Sequence, residues 1–343
     1  MDPRDYRPPR WLRNPHVQSV LSSSGLRRLL ARKRRQAVEA SAESHLLQCS
    51  DGVILQGFLT RQSMQAVANG LVVLLHGWEG SARSNYVLHT AARLLQTGFD
   101  VFRLNFRDHG DTHHLNPDLF SSNKLSEVVD AVGDVAQRFT PPWMGIVGYS
   151  LGGNFALRVA LQTRTASLPL GHAIAICPVV SPPAGLQAIE DSPWFYEYYF
   201  MRKWTQSLRR KQALYPESFR FTTQELTGGI RELTRVLVER HTALGTLENY
   251  LESYSIAGDR LAAMPIGAHI LTAADDPVIP LADFHALQLP PQVTLDVATH
   301  GGHCGFLDGW HLRGFAEEYV AHRLLQACLS SGENRSVSPQ QLD

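Results

Sequence analysis

A serine lies between two glycines at a point where the sequence changes from strand-like to helix-like. The segment 148–152 (Gly-Tyr-Ser-Leu-Gly) follows the apolar run 144–147 and precedes the helix-compatible run 155–160. In such a turn the serine backbone is strained, and glycines two residues away remove the Cβ atoms that would collide with the strand and helix. The strain presents the hydroxyl at the strand tip, in front of the N–H groups that begin the helix. The pattern predicts that Ser150 is a nucleophile, with an ordinary glycine-rich turn as the alternative.

A serine hydroxyl needs a neighbouring base, and that base needs a carboxylate to fix its tautomer. In a chain of alternating strands and helices, the expected order is serine, acid, histidine, with the last two on loops after late strands. Asp276 follows the predicted strand 268–273, and His303 follows the predicted strand 293–297. The sequence therefore predicts a serine hydrolase with Ser150 as nucleophile, His303 as base and Asp276 as the acid that holds the base.

A second aspartate and a second histidine lie close in sequence to the predicted acid and base. We favour Asp276 over Asp275 because the rigid Pro-Val-Ile-Pro segment that follows would hold its carboxylate toward the sheet tip. We favour His303 over His300 because it follows two glycines, on a loop that can carry an imidazole over the serine. Asp275 would then cap the loop, and His300 would be a strand-end residue.

Two backbone N–H groups are expected to stabilise the oxyanion that forms during acyl transfer. Leu151 supplies the first because it follows the nucleophile, and Trp78 supplies the second from the loop 76–80 (His-Gly-Trp-Glu-Gly) after an early strand. His76 lies at the wrong place in the chain order for a base, so we interpret it as a residue that shapes this loop. Glu79 either orients the loop or faces solvent.

Other reactive side chains are expected to play no catalytic part. The segment 107–114 (Arg-Asp-His-Gly-Asp-Thr-His-His) contains metal-binding residue types, but its spacing fits no metal signature. We interpret it as a polar loop near the mouth of the site and expect neither metal nor cofactor. Cys177 and Cys304 lie near the predicted site loops, but neither occupies the position of Ser150, so a thiol nucleophile is not expected.

Apolar runs alternate with helical patterns along most of the chain. Strands are predicted at 71–75, 100–105, 144–147, 173–177, 268–273 and 293–297, and helices at 84–96, 125–139 and 310–328. Continuous apolar strands between helices are typical of a mostly parallel sheet covered on both faces, an α/β fold. The alternating pattern over 43–60, with Asp51-Gly52 at its centre, predicts an additional hairpin.

Residues 181–266 interrupt this alternation with several helical patterns and an aromatic run at 194–200, followed by Trp204. We interpret them as a helical cap inserted above the sheet, whose aromatic side chains line an apolar substrate pocket, bury the cap against the core, or do both. The complete predicted organisation is an N-terminal arm at 1–40, extended over 1–25, a core at 41–180 and 267–330, the cap at 181–266, and a disordered polar tail at 331–343.

Composition excludes several classes of protein. Lysine plus arginine and aspartate plus glutamate each total 32 among 343 residues, which argues against a nucleic-acid partner. No apolar run is long enough to span a membrane, and the first residues lack the apolar stretch of a signal peptide. The four scattered cysteines are expected to be reduced, in the cytoplasm.

The basic run 26–35 either contacts an anionic membrane surface weakly or is a solvated face. The oligomeric state stays open.

Several segments together resemble a known family. They are Pro-Pro at 8–9, Asn-Pro-His-Val-Gln-Ser at 14–19, His-Gly-Trp-Glu-Gly-Ser at 76–81 with Ser84 and Tyr86, Asn-Phe-Arg-Asp-His-Gly at 105–110, the serine turn at 148–154, Asp-Asp-Pro at 275–277, and Gly-Gly-His-Cys-Gly-Phe at 301–306. This set is similar to the α/β-hydrolase fold and, within it, to the YheT-type branch of bacterial predicted hydrolases and fungal and animal medium-chain acyl-ester hydrolases. Gln18-Ser19 stands where the branch usually has Gln-Thr. The membrane anchor of some members is not expected here.

The resemblance implies hydrolysis of small acyl esters, of short to medium chain length, by Ser150, Asp276 and His303. Acyl transfer to an alcohol is an alternative, because the same acyl-enzyme serves both reactions. Thioesters and lactones are alternative substrates, since they use the same oxyanion chemistry. Ligand binding without turnover is the least favoured interpretation, because binding alone requires no strained serine.

Overall fold

The structure is a computed structural model that describes residues 2–336, with side chains as far as residue 331. Its main sheet contains eight strands: β1 (Ala42–Gln48), β2 (Ile54–Thr60), β3 (Gly70–Leu75), β4 (Phe99–Asn105), β5 (Met144–Tyr149), β6 (Leu170–Ile176), β7 (Gly267–Ala273) and β8 (Val293–Ala298). Their order is β1-β2-β4-β3-β5-β6-β7-β8. β2 pairs antiparallel with β1 and β4, and all other neighbours are parallel. The predicted hairpin and mostly parallel sheet are both confirmed.

The helices are α1 (Pro15–Ser22), α2 (Gly25–Leu30), α3 (Arg32–Ala40), α4 (Asn85–Gln96), α5 (Leu125–Phe139), α6 (Leu151–Leu161), α7 (Pro182–Asp191), α8 (Phe195–Leu214), α9 (Thr223–Thr227), α10 (Ile230–His241), α11 (Leu247–Ser253), α12 (Leu281–His285) and α13 (Phe315–Ser336). Short 3₁₀ turns cover Pro3–Asp5, Arg10–Leu12 and Ser50–Gly52. Among the described residues, no helix combines the length and the apolar character that crossing a membrane requires.

Helices cover both faces of the sheet because its central strands are apolar on both sides. In β3, Leu71, Val73 and Leu75 pack into one core with α5 and α6. Val72 and Leu74 of the same strand pack into a second core with α4 and α13. This arrangement confirms the predicted α/β-hydrolase fold and explains why the strand sequences are continuous apolar runs.

The segment between β6 and β7 is helical and contains α7 to α11. It has a small apolar cluster of its own, which includes Leu208, Phe219 and Leu233. A second cluster joins α7, α10 and α11 to the partly buried Trp78 of the core. The inserted helices are therefore packed over the carboxyl end of the sheet, where Trp78 lies.

The prediction of an extended arm over residues 1–25 is wrong. Asn14 caps α1, since its side chain accepts hydrogen bonds from the His16 and Val17 N–H groups, and Pro15 occupies the first helical position. Both are favoured helix-start residues, and they outweigh the weak helical propensity of the serines that follow. Gln18 and Leu12 are fully buried, so the arm packs against the core.

The final helix begins later and ends later than predicted. Leu307–Asp308 (β9) and Arg313–Gly314 (β10) pair as a small hairpin, with Trp310 in its turn, so α13 begins at Phe315 and not at 310. The helix continues to Ser336, six residues into the segment predicted as a disordered tail. The rest of that tail, 337–343, lies outside the described residues.

Candidate active site

Ser150 occupies a strained turn between β5 and α6. Its backbone φ is 54° and ψ is −120°, a conformation that side-chain-bearing residues rarely adopt. A Cβ atom on Gly148 would lie 1.9 Å from the Gly152 carbonyl oxygen, and one on Gly152 would lie 2.4 Å from the His76 carbonyl oxygen. The two flanking glycines are therefore required by close backbone approach, as the sequence pattern predicts.

The substitution Gly148→Ala is expected to lower the free energy of unfolding by about 3 kcal/mol or more, because the new methyl group overlaps backbone atoms that cannot rotate away. Gly133→Ala is the matched control. Its Cβ would meet only Leu168 Cδ2, at 3.6 Å, and alanine favours a helix interior by about 1 kcal/mol over glycine. Chemical denaturation measures both changes. Equal stability of the two variants would contradict this description of the turn.

The structure brings Ser150, His303 and Asp276 into one hydrogen-bonded chain. His303 Nε2 lies 2.9 Å from Ser150 Oγ, and His303 Nδ1 lies 2.9 Å from Asp276 Oδ2. Asp276 Oδ1 accepts further hydrogen bonds from the Val278 and Ile279 N–H groups, at 2.8 and 3.1 Å. The turn after Asp276 thus fixes its carboxylate, as expected from the Pro-Val-Ile-Pro segment. The imidazole is positioned to take a proton from the serine.

The two alternative residues contact each other instead. Asp275 Oδ1 accepts a hydrogen bond from the Gly302 N–H group at 2.8 Å, and its Oδ2 lies 3.3 Å from His300 Nδ1. Neither side chain has a hydrogen bond to Ser150 among the described residues. Asp275 therefore braces the loop that carries His303, which matches the loop-capping role expected for it.

Burial and neighbouring charge shift the pKa of His303 in opposite directions. Burial lowers its pKa, whereas the charges of Asp276 and Cys304 and the hydrogen bond to Asp276 raise it, with a net rise to about 9. The Asp276 carboxylate thus stabilises the protonated form of His303.

The same balance predicts the pH dependence of activity. A base with a raised pKa is protonated, and so inactive, below that pKa. We expect kcat/KM for a soluble ester to reach half its maximum near pH 9 rather than near the ordinary 6.5. Asp276→Asn removes the charge that raises the pKa, so the inflection should move toward lower pH. An inflection below 6.5 in the unaltered protein would contradict this prediction.

The N-terminal helix α1 holds the loop of His303, a contact that the sequence did not predict. Ser19 Oγ accepts a hydrogen bond from the His303 N–H group at 2.8 Å. Gln18 Oε1 accepts one from the Leu307 N–H group at 2.7 Å, and Gln18 Nε2 donates to the Leu12 carbonyl at 2.7 Å. The Gln18-Ser19 pair, which resembles the usual Gln-Thr of the branch, keeps the γ-hydroxyl that reaches His303.

The predicted oxyanion residues Trp78 and Leu151 both line the cavity beside Ser150. A Cβ atom on Gly77 would lie 3.3 Å from Ser150 Cβ, so the loop 76–80 lies next to Ser150. His76 shapes this loop: its Nε2 accepts a hydrogen bond from the Phe106 N–H group, and its Nδ1 lies 2.7 Å from the Gly77 carbonyl. Burial keeps the pKa of His76 well below its usual value, so the ring is neutral.

Glu79 follows Trp78 in the loop 76–80. Its carbonyl accepts a hydrogen bond from Lys203 Nζ at 3.1 Å, and its N–H group donates to His109 Nε2. Burial raises the pKa of the Glu79 carboxyl group to about 8, although the nearby Lys203 charge opposes the rise. Glu79 thus joins the loop to the inserted helix α8 through its backbone.

The polar loop 107–114 anchors the inserted helices. Lys211 on α8 donates to Asp108 Oδ1 at 2.7 Å and to the Asn116 carbonyl at 2.6 Å. Both partners of this ion pair are almost fully buried. Within the described part of the chain, the loop forms no cluster of metal-ligating atoms. His113 adds a second contact to α8, since its Nε2 lies 2.7 Å from Ser207 Oγ.

One group of metal-type side chains lies at the site itself. Ligand atoms of Cys177, His303 and Cys304 lie within 4.8 Å of one another. Both ring nitrogens of His303 already contact Ser150 and Asp276. A metal ion bound to this group would have to draw His303 away from one of these partners, so it would oppose proton transfer.

A cavity over Ser150 lies between the sheet and the inserted helices. Apolar side chains from both parts line it, including Trp78, Val179, Leu186, Phe200, Trp204 and Ile279. Trp78 stacks on Phe200 at 5.4 Å and meets the edge of Trp204 at 5.1 Å. Trp194 and Tyr198 of the same aromatic run remain exposed. Within the run 194–200, Phe200 therefore lines the cavity, whereas Trp194 and Tyr198 face solvent.

Comparison with known proteins supports the resemblance found in the sequence. The model of the "Alpha/beta hydrolase family" matches residues 72–317. The chain is 26% identical to "Putative esterase YheT" of Escherichia coli (strain K12), over 89% of this chain and 88% of that protein. It is 23% identical to "Phospholipase ABHD3" of Mus musculus, over 85% of this chain and 73% of that protein.

Solved structures share the fold. The chain superposes on the Pyrococcus furiosus esterase Pf2001 with a TM-score of 0.53 and 15% identity, over 83% of this chain and 89% of that one. It superposes on the 2,6-dihydroxy-pseudo-oxynicotine hydrolase with a TM-score of 0.58 and 16% identity, over 92% of this chain and 78% of that one. Identities this low show a common fold alone.

Proposed function

The chain belongs to the α/β-hydrolase family, and from this premise we propose that it is a serine esterase that hydrolyses carboxylic esters of apolar, short- to medium-chain acids. The observation that carries the proposal is the hydrogen-bonded chain from Ser150 through His303 to Asp276 at a strained turn. A binding protein would need no such strain, which costs about 1–3 kcal/mol. The cytoplasmic location predicted from the cysteines is part of the proposal.

The proposed reaction proceeds through an acyl-enzyme. Ser150 Oγ attacks the ester carbonyl carbon while His303 Nε2 takes the hydroxyl proton, and the Trp78 and Leu151 N–H groups stabilise the oxyanion. His303 then gives the proton to the leaving alcohol. A water molecule, deprotonated by His303, attacks the acyl-enzyme and releases the acid. Asp276 holds the ring and stabilises its cationic form throughout.

The cavity supports an apolar acyl group as the substrate class. Its lining near Ser150 is mostly aromatic and aliphatic, and such surfaces favour alkyl chains over charged ones. The names of two relatives, an esterase and a phospholipase, agree with an ester bond as the target.

The test is hydrolysis of p-nitrophenyl esters from acetate to palmitate, with Ser150→Ala as the blank. We expect a Ser150-dependent optimum at short or medium chain length. The same assay with added ethanol separates hydrolysis from acyl transfer, since a transferase would form the ethyl ester in place of the free acid. Full activity in Ser150→Ala would overturn the proposal.

A further inference from the structure

The positive charge of this protein is concentrated at its N-terminal end. Residues 1–35 contain ten lysines and arginines and two aspartates, a net charge of +8. The whole chain is neutral, so residues 36–343 carry −8. Among the described residues, the exposed side chains of Arg28, Arg32, Lys33 and Arg34 form no ion pair with a carboxylate. This end of the molecule presents an unneutralised basic surface.

Helix α2, within this segment, buries one arginine and exposes three leucines. Arg27 is 1% exposed, and its guanidinium forms a 2.6 Å ion pair with the buried Glu317. Leu26, Leu29 and Leu30, at the spacing of one helix face, are 54%, 66% and 47% exposed. A helix that faces water places leucines inward and arginines outward. The reversed pattern indicates that the outer face of α2 meets something apolar.

Two exposed tryptophans lie on segments next to α2. Arg27 Nε also donates to the Leu312 carbonyl, so the turn of the β9–β10 hairpin adjoins α2. Trp310 in that turn is 79% exposed and stacks on Trp11, at a ring distance of 4.8 Å. We call Trp11, Leu26, Leu29, Leu30 and Trp310 the leucine–tryptophan patch. Tryptophan rings are enriched where a membrane meets water.

We propose that the leucine–tryptophan patch binds an anionic membrane surface, with its apolar side chains among the acyl chains and the basic side chains against the headgroups. Exposed leucines and tryptophans beside unpaired basic residues are the composition that such interfaces select. A second copy of this chain fits poorly, because a two-fold contact would bring two patches of the same charge together. α2 is too short to cross a bilayer, so the contact is peripheral.

The proposal goes beyond esterase activity and does not depend on it. The leucines of the patch lie on α2, which follows α1 in the chain, and Ser19 of α1 holds the His303 loop. A membrane at the patch would therefore lie on the same arm of the molecule that supports the proposed base.

The test is sedimentation of the full chain with phosphatidylcholine vesicles, with and without one quarter phosphatidylglycerol, in 0.1 M NaCl. We expect binding to the anionic vesicles that is lost in 1 M NaCl, where the Debye length falls from about 10 Å to about 3 Å. Neutralising three charges (Arg28→Gln, Lys33→Gln and Arg34→Gln) should weaken binding about 100-fold, at about fivefold for each residue. Leu26→Gln with Leu29→Gln should weaken it about 10-fold or more.

Controls and contrary results separate this proposal from others. Leu46 is 45% exposed on β1, and Arg164 is exposed beyond α6, so Leu46→Gln and Arg164→Gln should bind vesicles like the unaltered protein. Hydrolysis of a soluble ester, or thermal unfolding if no ester is hydrolysed, shows that each variant is folded. Equal binding to neutral and anionic vesicles would overturn the proposal. A dimer in light scattering that dissociates in the leucine variant would assign the patch to a second copy.

Discussion

Replacement of His303 by alanine is expected to lower kcat for a p-nitrophenyl ester by about 10⁵-fold, because the residues of such a triad act as a unit. His303 Nε2 is the group within hydrogen-bond distance of Ser150 Oγ. Without it, no base takes the serine proton as the hydroxyl attacks. Steady-state kinetics on both proteins, with circular dichroism to verify folding, measures the loss.

His300→Ala is the matched control for this prediction. His300 contacts Asp275 and lies three residues from His303 in the same loop. Its removal should change kcat less than about 10-fold, since it takes no part in proton transfer. A loss in His300→Ala as large as that in His303→Ala would reject the assignment of the base.

The second large effect is expected at the orienting acid. Asp276→Asn should lower kcat by about 10⁴-fold, because an amide keeps the shape of the side chain but stabilises the wrong tautomer of the base. Asp275→Asn should lower kcat by less than about 10-fold, since an amide oxygen can still accept the hydrogen bond from the Gly302 N–H group.

This pair of substitutions is a sharp comparison because the two aspartates are adjacent and differ only in their contacts. Both variants keep the volume of the loop, and thermal unfolding shows whether either is destabilised. If Asp275→Asn lowered kcat more than Asp276→Asn, Asp275 would be the acid that orients His303, and Asp276 would be the residue that braces the loop.

The sequence predicts the core of the fold well, because local patterns determine it. Continuous apolar runs place the strands within a few residues of their observed ends, and the valine spacing predicts α5 at its observed bounds, Leu125–Phe139. The order of Ser150, Asp276 and His303 along the chain likewise predicts residues that the structure brings together. Each follows a strand, and the carboxyl ends of parallel strands meet at one edge of a sheet.

Contacts between distant segments could not be predicted in this way. Ser19 and His303 are 284 residues apart, and nothing in the spacing around either residue indicates that they meet. The sequence presents Arg27 as one of several basic residues in a row, yet the structure buries it in an ion pair with Glu317 on α13. Both contacts depend on the docking of the N-terminal arm, which follows from the assembled surface of the core.

The aromatic run of the inserted segment shows the same limit. The sequence predicts that these aromatic side chains line a pocket, bury the cap, or do both, but the position of Trp78 decides which of them enclose the cavity. Phe200 and Trp204 contact Trp78, whereas Trp194 is 76% exposed. Which rings define the substrate pocket is thus a property of the assembled cavity.

The most direct test of the central claim is labelling with an alkyl fluorophosphonate, followed by mass spectrometry of the intact protein and its peptides. We expect one adduct, on Ser150, formed at least about 10³-fold more slowly in His303→Ala, because the nucleophile then lacks its base. An adduct on another residue, or ester hydrolysis that continues after complete labelling of Ser150, would contradict the claim that Ser150 is the nucleophile of this protein.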